Sequence, residues 1–490
     1  MGMSVVGLFD GLAKNVPDCS VIDMTTDSRR VVPGGLFLAC QGAGGHGLDY
    51  MDQALAAGAA AVAWNDDRDA PELPDSVAGF SVSDLDDQVG VLADRFFDKP
   101  SERMPVTGVT GTNGKTTTAW LATGALNKLL GRTAYLGTVG YGFTDALEPA
   151  ALTTPGVIAV HRRLAGLADQ GAVAAVMEVS SHGLDQGRVD NVRFKVAAFT
   201  NLSRDHLDYH GSTEAYQAAK AKLFTEFKPE FAVLNVADEF GRELARLLHK
   251  DVHLLSVSAD PRHEAALCAE VMGMNAKGMH VRFSGEYGEA EMITPLWGRF
   301  NAENLVVAAG ILLAQGFELK AAVAALASCD APAGRMEVLP GSPGQPLVVV
   351  DFAHTPDALQ KALESIREHC DGALWCVFGC GGDRDSGKRS QMGSVAEASA
   401  DQIIITDDNP RDEDPAAIVA GILEGFSNKP EVIHDRAAAI NAAVSTAKSG
   451  DVVLIAGKGS ETYQISNDQQ FEFSDRDTAL RALGQHGEAL

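Results

Sequence analysis

Val106-Thr-Gly-Val-Thr-Gly-Thr-Asn-Gly-Lys-Thr-Thr-Thr118 sets a short apolar strand, a glycine turn, a lysine and a run of hydroxyls directly before a helical pattern, Ala119 to Leu130. That order predicts a phosphate site. Glycines 108, 111 and 114 let the backbone turn tightly and approach an anion, Lys115 reaches the outer phosphates, and the Thr116 hydroxyl is placed to ligate Mg²⁺. Gly108 to Thr116 matches G-x-x-x-x-G-K-[ST] with one extra residue between the outer glycines, so the surrounding pattern decides against a turn that merely caps a helix. The reading is an ATP site.

Outward from this loop, Ala172 to Glu178 forms an unbroken apolar run that ends on a carboxylate, where nucleotide enzymes hold Mg²⁺. Ser180, Ser181 and His182 follow, and the strand Ala197 to Asn201 leads into Ser203 to His210. His206 there reads as a metal ligand, a general base or a surface histidine. In the helix Thr213 to Phe227, Tyr216, Lys220, Leu223, Phe224 and Phe227 share one stripe, so Lys220 points with the apolar side chains and Lys222 away from them. A lysine so placed either snorkels or sits desolvated with a nucleophilic amine open to carbamylation by CO₂.

Toward the carboxyl end, strands at Leu347–Asp351, Leu374–Phe378, Ile403–Thr406, Glu431–His434 and Val452–Ala456 alternate with helices, which predicts an open, mostly parallel α/β sheet. Four of these strands run into polar loops: Asp351 to Pro356, Gly379 to Arg389, Asp407 to Arg411 and Gly457 to Glu461. Ligands gather at that edge of such sheets. Three arginines among the loops suit a charged substrate. Toward the amino end, residues 1–102 alternate short strands and helices, with Gln41 to Gly47 either a ligand edge or a flexible connector, and Asp98 to Pro105 reads as a linker.

At 490 residues the chain exceeds one core, and a prior of about 150 residues per domain suggests three. The boundaries expected are 1–102, 103–331 and 332–490. A net charge of −26 argues against nucleic acid and acidic membranes as partners. Seven scattered cysteines with no C-x-x-C pair read as reduced thiols, with Cys376 and Cys380 packed rather than ligating. With no apolar span of about 20 residues and no signal sequence, the expected location is the cytoplasm.

Thr110-Gly-Thr-Asn-Gly-Lys-Thr-Thr117, Met177-Glu-Val-Ser-Ser-His182, Thr200-Asn-Leu-Ser-Arg-Asp-His206, Gly298-Arg-Phe-Asn-Ala-Glu-Asn304 and Asp351-Phe-Ala-His-Thr-Pro-Asp357 together resemble the Mur ligases over essentially the whole chain. The resemblance implies three α/β domains: a small uridine-nucleotide domain, a central P-loop domain and a Rossmann-like amino-acid domain. It implies an ATP- and Mg²⁺-dependent, amide-forming ligase of peptidoglycan precursor synthesis, taking a UDP-linked muramoyl dipeptide and meso-diaminopimelate and working as a monomer. Gly111, Thr112, Asn113, Gly114, Lys115, Thr116 and Thr117 then hold the ATP phosphates. Asn304, Arg335 and Asp351 contact adenine, phosphates and ribose. Thr116, Glu178, His206 and Lys220, the last as a carbamate, lie at the metal.

For the nucleotide-linked peptide the resemblance implies Thr153, Thr154, Ser180, Gln186 and Arg188, with Ser28 and the glycine loop after Cys40 at the uridine end. For the amino acid it implies Arg384, Asp408, Asn409, Pro410, Arg411, Gly457 and Glu461. The Asp408-Asn-Pro-Arg411 loop separates diaminopimelate from lysine in this family. The physics agrees, because a guanidinium fork binds the second carboxylate of diaminopimelate, worth roughly 1.5–3 kcal/mol or on the order of tenfold to a hundredfold. Ser460 departs from the family, which usually has histidine there. The rival readings are the lysine-adding ligase, the D-alanyl-D-alanine-adding ligase, folylpolyglutamate synthetase and a P-loop ATP switch.

Overall fold

A computed structural model describes residues 2–484 except 43, 261 and 468. The chain divides into two compact units, Met1–Thr112 with Leu130–Ala232 and Glu243–Leu254, and Asn113–Leu129 with Val233–Arg242 and Leu255–Leu490. The architecture is α/β throughout, with several separate sheets.

In the first unit, a four-stranded parallel sheet runs in the order Met24–Thr25, Leu36–Ala39, Ala61–Asn65, Ala78–Val82. Val5, Leu8, Phe9, Leu36, Leu38, Phe80, Leu85 and Leu92 form its core, and Val157 and Ile158 of the helix Val157–Asp169 pack on it. The same helix is held by Arg162, which donates to Asp23 Oδ1 at 2.7 Å and to the Met24 carbonyl at 3.0 Å. The phosphate-loop strand, Val106–Thr110, lies parallel between Ala174–Glu178 and Phe194–Phe199, with Glu178 in register with Val109 and Phe199 with Thr110. All of these strands therefore end at one edge, carrying Glu178 and the start of the glycine turn.

The expected linker at Asp98 to Pro105 is partly helical: Pro100–Arg103 forms one turn with Pro100 at its first position. Pro100 is preorganised for a helix start, and Ser101 is buried, its Oγ accepting from Arg193 N at 3.0 Å, so the segment is packed rather than loose.

In the second unit, the helix Lys115–Leu129 follows the glycine turn. The carboxyl-terminal sheet has the strand order Glu337–Leu339, Leu347–Asp351, Val452–Ala456, Leu374–Phe378, Gln402–Ile405, Glu431–Val432, parallel except for the first. This is the open sheet expected, with one extra antiparallel edge strand. Helices cover both faces: Leu359, Leu363, Ile366 and Ile422 pack on one, Ile440, Val444 and Leu480 on the other. Leu267–Asn275, Gly278–Gly285 and Ala290–Thr294 form an antiparallel run that the sequence reading did not foresee. Among the described residues no helix is long and apolar enough to cross a membrane.

Candidate active site

Glu178 ends a fully buried strand, and Tyr135 and Thr138 orient its carboxylate. Oε1 accepts from Tyr135 Oη at 2.6 Å and Thr138 N at 2.7 Å, and Oε2 from Thr138 Oγ1 at 3.2 Å. Burial of a carboxylate demands such partners. Thr138 Oγ1 also lies 3.0 Å from Thr153 Oγ1, and Thr154 Oγ1 donates to the Glu178 carbonyl at 3.0 Å while accepting from Ser180 N. Arg188 donates to the Thr154 carbonyl at 2.8 Å and to Gln186 Oε1 at 2.9 Å; Gln186 in turn donates to Tyr209 Oη at 2.9 Å. Thr153, Thr154, Glu178, Ser180, Gln186 and Arg188 thus belong to one connected hydrogen-bond network.

Lys220 lies on the buried face of the helix Thr213–Thr225 and is 1% exposed. Its Nζ donates to the Gly111 carbonyl at 2.7 Å and sits 4.5 Å from the centre of the Tyr216 ring. Tyr216 Oη is 3.0 Å from Thr112 Oγ1, which accepts from Ser203 N at 2.9 Å, so the lysine helix fixes the first half of the glycine turn. Burial pushes the Tyr216 phenol up to about 12, keeping it neutral. Lys222 faces outward, 3.7 Å from Asp185. His206 is half-exposed with φ +51, its ring 4.8 Å from His182. His182 also packs on Tyr209 and His210 and is held below the usual imidazole range, first by burial and then by the charges of His206 and His210.

The phosphate loop fits a nucleotide on two observations. Gly111 (φ +150) leaves no space for a side chain, since a Cβ would lie 2.0 Å from Thr200 Oγ1; Gly114 (φ +81) would place one 2.2 Å from Asn304 Oδ1. Thr110 at the mouth of the turn keeps a buried hydroxyl with no hydrogen-bond partner among the described residues. Asn304 is buried, accepting from Thr118 Oγ1 at 3.3 Å and donating to Asn301 Oδ1 at 2.9 Å. Among the described residues no three His, Cys, Asp or Glu side chains converge as a metal cage. One fixed carboxylate beside a phosphate loop is instead the donor set that suits Mg²⁺, which keeps its waters and shares the phosphates.

In the second unit, Asp351 accepts from Met336 N at 2.7 Å and Ala353 N at 2.9 Å, and the Arg335 guanidinium lies 4.5 Å from the Phe352 ring. The loops after Leu374–Phe378, Gln402–Ile405 and Val452–Ala456 meet. Arg411 (φ +56) donates from one amino group to the Gly382 carbonyl at 2.8 Å and the Asn409 carbonyl at 3.4 Å. Its Nε and second amino group have no partner among the described residues. Asp408 and Pro410 are buried, Arg384 is exposed, and Gly457 N donates to the Asp351 carbonyl at 3.1 Å. Asn409 Nδ2 donates to Glu461 Oε2 at 2.9 Å. An open guanidinium fork and two carboxylates, Asp408 and Glu461, on one edge suit a zwitterion with a further carboxylate.

At the amino end, Ser28 Oγ donates to Gln53 Oε1 at 2.7 Å. The glycine loop pairs Gln41–Gly42 with Gly45–His46, and His46 keeps a buried Nε2 with no hydrogen-bond partner among the described residues. Ala43, in the same loop, lies outside the described residues.

Residues 109–312 match the Mur ligase middle domain, 334–459 the Mur ligase glutamate ligase domain and 22–97 the catalytic domain of the Mur ligase family. A UDP-N-acetylmuramoyl-L-alanyl-D-glutamate–2,6-diaminopimelate ligase of Xylella fastidiosa is 46% identical over 95% of this chain and 94% of its own length. The chain belongs to the Mur ligase family. The equivalent ligase of Xanthomonas campestris is 47% identical over 95% of this chain and 94% of its own length. A solved structure with the same ligase name is 33% identical, covers 99% of both chains and superposes with a TM-score of 0.73. MurF from Acinetobacter baumannii, at 19% identity and a TM-score of 0.67 over 99% of this chain and 98% of its own, shares the fold.

The sequence reading of this Mur ligase missed Tyr135 and Thr138, which orient Glu178, because their strand is about 40 positions away and carries no periodic mark. Tyr216 was on the lysine stripe already and signalled its place. Lys458, fully buried between Asn409 and Glu461, was not singled out.

Proposed function

We propose that this chain adds meso-diaminopimelate to the D-glutamyl carboxylate of UDP-N-acetylmuramoyl-L-alanyl-D-glutamate at the expense of ATP, in peptidoglycan precursor synthesis. The observation that carries the choice of amino acid is Arg411, whose guanidinium is anchored through one amino group and has no other partner among the described residues. The second carboxylate of diaminopimelate fills that fork; lysine leaves it empty.

In this reading the γ-phosphoryl group passes to the glutamyl carboxylate, giving an acyl phosphate and ADP. The acceptor amine attacks the acyl carbon, phosphate leaves, and the amine proton goes to solvent. Thr116, Glu178, His206 and carbamylated Lys220 would hold Mg²⁺, which would neutralise phosphate charge. Lys115 and the amides from Gly111 to Thr117 bind the phosphates, while Asn304, Arg335 and Asp351 hold the nucleoside end. Tyr135 and Thr138 hold the Glu178 carboxylate in a single orientation, so no reorganisation is needed as charge develops. Thr153, Thr154, Ser180, Gln186 and Arg188 hold the peptide arm, with Ser28 and the loop at Gln41 to Gly47 at the uridine end. Arg384, Asp408, Asn409, Pro410, Arg411, Gly457 and Glu461 line the amino-acid pocket.

We place the functional boundaries at 1–102 for the uridine nucleotide, 103–331 for ATP and 332–490 for the amino acid, in a cytoplasmic monomer. The test is mass spectrometry of the nucleotide product. The UDP-linked dipeptide is expected to gain one diaminopimelate less water; an unchanged dipeptide after ATP turnover refutes the proposal.

A further inference from the structure

Lys458 stands in the loop after Val452–Ala456, between Gly457 and Gly459, and none of its side chain is exposed. A loop lysine normally extends its ammonium into water, and burying one is costly unless it is paired. Here Nζ donates to Glu461 Oε2 at 3.0 Å and to Asn409 Oδ1 at 2.9 Å, 5.7 Å from the centre of the Tyr463 ring. Asn409 Nδ2 closes the triangle by donating to the same Glu461 oxygen at 2.9 Å, and Asn409 Oδ1 also accepts from Ile465 N at 3.0 Å. One oxygen of Glu461 thus takes two donors. The other, Oε1, has no partner among the described residues, and the side chain is 26% exposed.

A side chain needed only to fill this space would be apolar, because a buried ion pair seldom stabilises a fold better than well-packed hydrocarbon. What the pair does supply is direction. We propose that Lys458 is a positioning residue for the amino-acid acceptor, locking Glu461 and Asn409 so that the free Glu461 oxygen meets an acceptor ammonium group. The inference rests on the ligase reading above. Lys458 touches no substrate in it; the triangle turns a mobile carboxylate into a fixed one. It also makes Asn409 a strut whose carbonyl oxygen is already used by the protein.

The test is initial-rate kinetics of the full-length enzyme, varying meso-diaminopimelate, ATP and the UDP-linked dipeptide in turn. Lys458→Met is expected to raise KM for diaminopimelate about tenfold or more, leaving kcat within about threefold and the other two KM values unchanged. Lys458→Gln, which keeps a donor for Glu461, is expected to recover part of the loss. A diaminopimelate KM within about twofold of wild type in both variants overturns the inference, as does a parallel rise of all three KM values, which marks a general structural role. If the Met variant does not fold, the Gln variant decides on the same criterion. A wild-type enzyme that forms no product with diaminopimelate rejects the ligase reading; a wild type that turns over, with variants that match it, rejects the positioning role alone.

Discussion

Lys220 and Arg411 carry the chemistry most exposed to test at the level of single residues. The Lys220 amine is enclosed under the Gly111 carbonyl and beside Tyr216, so an alanine there removes both a support of the glycine turn and the proposed carbamate. Lys220→Ala is expected to lower kcat by at least about a hundredfold while the protein stays folded by circular dichroism; full activity contradicts the carbamate role. Arg411→Ala is expected to raise KM for diaminopimelate by about ten- to a hundredfold and to erase its advantage over lysine in competition. Unchanged preference places the second carboxylate elsewhere. Lys220 was legible because Tyr216, Leu223 and Phe224 repeat at helical spacing around it. Lys458 was not, because a lysine between two glycines has no period, and its burial arises only when loops far apart in sequence close over it.

Among elements, the phosphate-loop strand could be read in advance, since an apolar run, a glycine turn and a helix leave few alternatives. Glu178 followed from the same logic: a carboxylate ending a strand buried on both faces lies at the ligand edge of a parallel sheet. The antiparallel strands Leu267–Asn275 and Gly278–Gly285 were missed because the register shifts between Val271 and Gly273, which breaks the two-residue alternation that reveals a strand. The segment Pro100–Arg103 was taken for a linker because Pro100, at its first position, and Pro105, just beyond it, read as chain breakers and hide a single helical turn. The helices Arg436–Thr446 and Asp475–Ala482 are joined by a fully buried ion pair, Arg436 Nε to Asp475 Oδ1 at 2.7 Å and Nη2 to Oδ2 at 2.8 Å. Asp475→Asn leaves the guanidinium uncompensated and is expected to cost about 3–5 kcal/mol in urea unfolding. A loss below about 1 kcal/mol shows that the surrounding carbonyls suffice.

For the molecule as a whole, buried histidines contribute to the response to acid. His161 is fully enclosed, with Nε2 2.8 Å from the Asp190 carbonyl; His369 donates to the Asn275 carbonyl at 2.8 Å, accepts from Gly298 N at 3.0 Å and stacks on Trp297. Burial is the main cause that holds both below the ordinary imidazole range. A folded-state value below the unfolded one, about 6.5, means that the unfolded chain takes up protons first. This contribution to stability is intact above about pH 6.5 and is lost as pH falls through that value toward the folded ones. The urea midpoint is expected to fall between about pH 7.5 and pH 5.5, and less so in His369→Gln; a midpoint that rises over that range contradicts the assignment.

The proposed reaction draws on both the phosphate loop and the arginine-bearing pocket, and ADP release that depends on the acceptor reads out both. Purified protein is given ATP, Mg²⁺ and the UDP-linked dipeptide, with meso-diaminopimelate, L-lysine or no amino acid in parallel. ADP release with diaminopimelate alone is the predicted result. Release with lysine alone contradicts the role of Arg411, and equal release with no acceptor contradicts the ligase itself in favour of an ATP-hydrolysing switch.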